Sequence, residues 1–249
     1  MNRLVLWDVD GTLVRCGPIG RQAIERAARR ALDHHVDWSD DDVPQVHMSG
    51  GTDPGILLEL LAHGGIEGDQ IDRLLALALV HLEDELAAAA HRIELEGTVL
   101  PGVAEVVTRL HDDPGVIQSV LTGNIAPNAA VKLGAFGLDA WLDLEIGAYG
   151  SDHVDRNRLV PLAIERAEAK HGRAFPPADV WVVGDTPRDM ACAAAAGARC
   201  LLVATGGHPI DELEGLGADE VLPDLSEVDL VVGVLGRRGS SLQRTPTRP

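Results

Sequence analysis

Cysteine is scarce in this chain of 249 residues, which holds only Cys16, Cys192 and Cys200. An odd number without CxxC spacing argues against a disulfide framework and for a reducing compartment, so the expected location is cytoplasmic. Long apolar runs are missing as well. The first lasts four residues before Asp8, too few for a signal peptide. Leu74 to Val80 is cut by His81 and Glu83, and Met190 to Thr205 is short and carries Arg199, so no membrane span is expected. Basic charge is in short supply: 21 Lys and Arg against 39 Asp and Glu give a formal net charge of −18, and lysine occurs only at positions 132 and 170. Such a surface repels nucleic acid and anionic membranes, so neither is an expected partner, and any anion pocket must be built locally. No HExxH, GxSxG or GxxxxGK[ST] pattern occurs, there is no internal repeat, and the ten histidines show no ligand spacing. The oligomeric state is left open.

What is present reads as an α/β protein with enough apolar content, 45%, for a full core. In the second half, short apolar runs at Val116 to Leu121, Leu144 to Gly147, Val180 to Val183 and Cys200 to Ala204 alternate with helical patterns. Those patterns cover Val103 to His111, Pro127 to Phe136, Leu159 to His171, Pro187 to Ala196 and Ser226 to Leu235, as a parallel sheet built from crossover units requires. The first strand, Leu4 to Trp7, is separated from this series by some eighty residues of purely helical character, at Gly20 to Asp33, Asp53 to His63 and Gln70 to His91. That pattern predicts a helical domain over 15–96 inserted into a core of 1–14 and 97–236. The seams at Arg15 to Pro18 and Glu96 to Pro101 both carry Gly and Pro. The basic tail 237–249, rich in Ser, Thr and Pro, is expected to be disordered.

The chemistry concentrates where strands end. Directly behind the first strand stands Asp8-Val9-Asp10-Gly11-Thr12-Leu13, which places two carboxylates two residues apart and so on one face of an extended segment. Its glycine comes too early for a calcium loop. Far downstream, Val180 to Val183 runs into Gly184-Asp185-Thr186-Pro187-Arg188-Asp189. If the two strands are parallel neighbours, Asp8, Asp10, Asp185 and Asp189 converge beyond the carboxyl edge, where open α/β sheets bind ligands. Four acids at one point repel one another. A cation would relieve this, and an all-oxygen ligand set favours magnesium over zinc. Thr122, Gly123 and Asn124 end another strand with a hydroxyl, a flexible turn and a helix start that can receive an anion, and Arg156 and Arg158 supply nearby cations.

Asp8-Val9-Asp10-Gly11-Thr12-Leu13, then Thr122, then a basic residue, then Gly184-Asp185-Thr186-Pro187-Arg188-Asp189 resembles the four ordered motifs of the haloacid dehalogenase superfamily. The resemblance covers nearly the whole chain except the tail. It implies a Rossmann-like parallel sheet with helices on both faces and an α-helical cap after the first strand, similar to phosphoglycolate phosphatases and β-phosphoglucomutases. It further implies an Mg²⁺-dependent phosphatase acting on a small phosphorylated substrate. Asp8 would be nucleophile and metal ligand, Asp10 the general acid and then base, Thr122 and the Gly123 N–H phosphoryl binders, and Asp185 and Asp189 the rest of the metal site.

The chain departs from the pattern in three places. The third motif is most often Lys, and alignment on the helix Leu159 to Ala167 puts Arg158 there, with Arg156 as runner-up. Trp7 stands where Phe is common. In the insertion, His47-Met48-Ser49-Gly50-Gly51-Thr52-Asp53 occupies the place of the substrate-selecting loop, making His47 and Asp53 candidate substrate contacts, although His47 could equally cap the following helix. A dehalogenase would lack the second aspartate, and a phosphonate-cleaving enzyme would need a cap lysine, which is absent. A phosphosugar mutase or a non-catalytic binding module with the same fold remain as alternatives.

Overall fold

The computed structural model describes residues 2–33, 35, 36, 38 and 43–236; the tail 237–249, expected to be disordered, lies outside the described residues. In chain order the elements begin with β1 (Arg3–Trp7) and β2 (Val14–Arg15), then α1 (Ile19–Leu32), α2 (Asp53–His63), α3 (Gln70–Ala88) and α4 (Ala90–Glu96). After β3 (Thr98–Val99) come α5 (Val103–His111), β4 (Val116–Thr122), α6 (Ala126–Gly134), β5 (Ala148–Tyr149), α7 (Leu159–His171), β6 (Val180–Gly184) and α8 (Pro187–Ala196). The described chain closes with β7 (Arg199–Val203), α9 (Ile210–Glu214), β8 (Glu220–Leu222) and α10 (Val228–Gly236).

The main sheet is six-stranded and parallel, in the order β5-β4-β1-β6-β7-β8. β1 lies in the middle because all five of its residues are buried, as a strand covered on both faces demands. Alternate side chains enter opposite cores. Val5 and Trp7 pack with Trp181, Val183, α5 and α10, whereas Leu4 and Leu6 pack with Val180, Val182, α7 and α8. Each such fully buried side chain contributes about 1.5 to 3 kcal/mol. Trp7 is tolerated inside because its indole N–H donates to Gln118 Oε1 at 3.1 Å.

Register fixes the functional edge. Trp7 pairs with Val120 on one side and Val183 on the other, so Asp8, Thr122 and Asp185 emerge at nearly the same level. The two seams flanking the helical segment pair with each other as β2 and β3, antiparallel, Val14 opposite Val99. Helices α1 to α4 therefore leave and re-enter at one point, and α1 and α2 share the apolar cluster that lies under Val5 and Trp7. No helix among the described residues is long and apolar enough to cross a membrane.

Several element expectations need correction. Leu144 to Gly147 is not a strand: Leu144–Ile146 forms a 3₁₀ turn because the Asp143 side chain accepts from Glu145 N–H, and the edge strand is the two-residue β5 beyond it. The single long helix to His91 divides at Ala89 into α3 and α4. Edge strand β8, too short to show a period, was not expected from the sequence.

Candidate active site

Loops following β1, β4 and β6, together with the segment leading into α2, enclose a cavity of about 310 Å³. Its floor carries Asp8 and Asp185, each buried at a strand tip. Asp8 N–H continues the ladder to Val183 C=O at 2.8 Å. Gly11 turns the chain away with φ +83°, a conformation that favours glycine, and a Cβ there would collide with the Asp185 carboxylate.

Asp8, Asp185 and Asp189 place carboxylate oxygens within 4.8 Å of one another, all three buried. Two unit charges so close repel by about 3 kcal/mol at an effective dielectric of about 20. Burial, then the fields of Asp8 and Asp189, push the Asp185 carboxyl up to about 8. Burial lifts Asp8 to about 6 even though Arg156 acts against it. The cation paired with this cluster is Arg156, whose Nη2 lies 3.0 Å from Asp8 Oδ1 and pairs also with Asp189 Oδ1. Asp189 is held further by the α8 capping box, its Oδ2 accepting from Thr186 N–H at 3.0 Å and Thr186 Oγ1 at 2.7 Å. A single guanidinium leaves three carboxylates under-compensated, so an oxygen-seeking divalent cation fits this donor set.

Asp10 stands apart. Its side chain is 46% exposed and its Oδ2 accepts from Lys132 Nζ at 2.6 Å and Asn124 Nδ2 at 2.8 Å. The expected cluster of four acids is thereby corrected to three, because Asp10's carboxylate is drawn toward Lys132. Asn124 also donates to Thr122 Oγ1 at 2.8 Å and accepts from Lys132 at 2.7 Å. Thr122 accepts twice from Asn124, so its own O–H is what it can still donate.

Lys132 was absent from the sequence-derived site, since it follows no motif. Burial alone would discharge it, but Asp10 and Asp53 outweigh burial and hold its ammonium above the ordinary lysine range. Of the two arginines, Arg156 turns inward and Arg158 is exposed and does not line the cavity. The cause is local: Asp155 accepts from Asn157 N–H and starts a 3₁₀ turn over Arg156–Arg158 that sets the two side chains apart. The preference for Arg158 is corrected accordingly.

The insertion reaches the floor through its segment Met48 to Asp53. Asp53 is buried, lines the cavity, accepts from Ile125 N–H at 2.9 Å and donates its own N–H to Gly123 C=O at 2.7 Å. Burial, moderated by Lys132, raises its carboxyl to about 6. Gly123 itself has to be glycine, since a Cβ would overlap the Gly51 carbonyl. His47 is exposed and outside the cavity lining, and it does not cap α2, whose N-cap is Thr52 accepting from Gly55 N–H at 3.2 Å.

Residues 2–197 match the sequence profile of the haloacid dehalogenase-like hydrolases, and the chain belongs to that family. It is an enzyme of the family's phosphatase branch, a phosphoric monoester hydrolase. A phosphoglycolate phosphatase of Pseudomonas fluorescens is 26% identical over 220 residues, 85% of this chain and 74% of that protein. A probable phosphatase, IndB, of Dickeya dadantii is 29% identical over 92% of each chain. Among solved structures, CbbY from Rhodobacter sphaeroides in complex with phosphate superimposes with a TM-score of 0.62 at 20% identity, covering 92% of this chain and 96% of that one. A hydrolase from Pseudomonas syringae gives 0.62 at 23% identity over 96% and 100%. At these identities the structural likeness speaks for the fold.

Proposed function

We propose that the protein is an Mg²⁺-dependent phosphatase that hydrolyses a small phosphorylated metabolite through an aspartyl-phosphate on Asp8. The observation that carries this reading is Asp8, paired with Arg156 and clustered with the carboxylates of Asp185 and Asp189, in a cavity that Asp10 and Thr122 also line. An Asp8 oxygen attacks phosphorus and the bond to the ester oxygen breaks, while Asp10 delivers a proton to that departing oxygen. Asp10, now a carboxylate, takes a proton from water as the water attacks phosphorus and releases Asp8. Thr122 O–H and Gly123 N–H hold phosphoryl oxygens, and Arg156 offsets their charge. Asp8, Asp185 and Asp189 would hold Mg²⁺, whose positive charge stabilises the phosphoryl oxygens when it is bound.

A cavity of about 310 Å³ suits a small ester rather than a polymer. Helices α1 to α4, over residues 15–96, serve as a cap, with Met48, Ser49 and Asp53 facing the part of the substrate that differs between metabolites. Phosphate release from a panel of phosphorylated metabolites, with Mg²⁺ and with EDTA, tests the reading. Hydrolysis that survives EDTA, or isomerisation of a sugar phosphate without release, would overturn it.

A further inference from the structure

Lys132 is a buried ionisable group on the cavity wall that the scheme above does not use. It sits on α6, its side chain 5% exposed, on the wall of the cavity. The neighbouring positions Ala129 and Leu133 pack into the apolar core, so α6 has no packing need for an ammonium there. Burying one is costly unless it is paired and hydrogen-bonded. The partners are specific: Asp10 Oδ2 at 2.6 Å and Asn124 Oδ1 at 2.7 Å. Asn124 then sends its amide N–H groups to the same Asp10 oxygen and to Thr122 Oγ1, both at 2.8 Å. One oxygen of Asp10 is thus held by two donors, while the other, Oδ1, takes part in neither bond, on a half-exposed side chain of a residue that lines the cavity.

We propose that Lys132 is a positioning residue for Asp10: with Asn124 it anchors Oδ2, so that Oδ1 alone exchanges the proton with the ester oxygen and then with water. The inference rests on the phosphatase reading and adds to it the residue that orients the acid. Without the anchor, the half-exposed Asp10 side chain rotates among staggered positions, and displacement of about 1 Å at a reacting group costs about 10²-fold in rate.

The test is a double-mutant cycle on the full-length protein, with p-nitrophenyl phosphate and glycerol 2-phosphate as probes. Lys132→Met should lower kcat for glycerol 2-phosphate by about 10- to 10²-fold with KM changed by less than about threefold, and lower it less for p-nitrophenyl phosphate, whose phenolate leaves without help. Placed on top of Asp10→Asn, the same change should cost less than about threefold, because the group it positions is already gone. Equal losses on both esters, or the full loss persisting in the Asp10→Asn background, overturns the proposal. Lys132→Gln keeps a donor and serves if the Met variant fails to fold; it is subject to the same cycle. Failure of the wild-type protein to release phosphate, or full activity of Asp8→Asn, would instead sink the phosphatase reading, so the two failures are distinguishable.

Discussion

Two buried cations divide the labour of this site differently. Arg156 sits between Asp8 and Asp189, all three carried by the core at the sheet's carboxyl edge: Asp8 just beyond β1, Arg156 on a 3₁₀ turn and Asp189 in the first turn of α8. Lys132 also feels two carboxylates, but one, Asp10, belongs to the sheet's first loop and the other, Asp53, to the inserted helices. The charged groups of the first centre all come from the core, and the insertion adds one backbone contact, Arg156 Nη1 donating to Gly50 C=O at 3.5 Å. The second takes its hydrogen bonds from the core, Lys132 to Asp10 and Asn124, and gains a further carboxylate from the insertion, whose Asp53 lies against the core through Ile125 and Gly123. The contrast teaches that, in the proposed scheme, the charged groups at the phosphorus are all core residues, whereas the field around the proposed proton donor includes a carboxylate from the inserted helices.

The comparison can be broken most directly at Asp8. Asp8→Asn should abolish turnover, a loss of at least about 10⁴-fold in steady-state phosphate release, because an amide cannot form the acyl phosphate; residual activity near wild type would remove the nucleophile from the scheme. Asp10→Asn should cut turnover by about 10² to 10⁴ on alkyl esters. Provided the first chemical step limits the rate, the loss should shrink with p-nitrophenyl phosphate. An equal loss on both esters under that condition would count against Asp10 as the acid.

Arg156→Lys, which gives up the shared guanidinium contact, should lower kcat/KM by about 10- to 10²-fold for every ester alike. Arg158→Ala should stay within about twofold of wild type. The reverse outcome would return the third motif to Arg158. The smallest effect concerns the second centre and stability. Asp53 has a folded-state pKa near 6, above the unfolded value of about 3.9. The unfolded state therefore holds fewer protons at this position between those values, and the stability Asp53 confers is full below about pH 4 and lost as pH rises through 6. Asp53→Asn does not ionise, so its Tm should gain on wild type across that window by a few degrees; parallel Tm curves from calorimetry between pH 4 and 7.5 would refute the sign.

Much of the first centre was legible in the sequence because it depends on local rules. Apolar runs ending in Asp8, Thr122 and Asp185 locate strand tips, and parallel strands gather their tips on one edge. Which arginine points inward was not legible, since it depends on a three-residue 3₁₀ turn that leaves no period in the sequence. Lys132 was hidden for a related reason. Its partner Asp10 lies 122 positions away, and nothing near Lys132 marks it except that Asn128 and Lys132, four apart and so on one face of a helix, are both polar yet buried. That pairing is the signal that could have found it. The Leu144 strand was misread because a buried apolar run fits a strand and a capped turn equally well.

The approach of Gly51 to Gly123 carries one more consequence. Where the inserted segment touches the loop after β4, main chain meets main chain: the Gly51 carbonyl fills the space a Cβ of Gly123 would need, and the Gly123 carbonyl fills that of Gly150. A seat made of bare backbone is indifferent to the identity of the neighbouring side chains. Ser49, which lines the cavity without joining the apolar core that Met48 packs against, can therefore be exchanged to reshape the wall while the loop keeps its place, which makes it a natural point for redirecting the enzyme toward other metabolites.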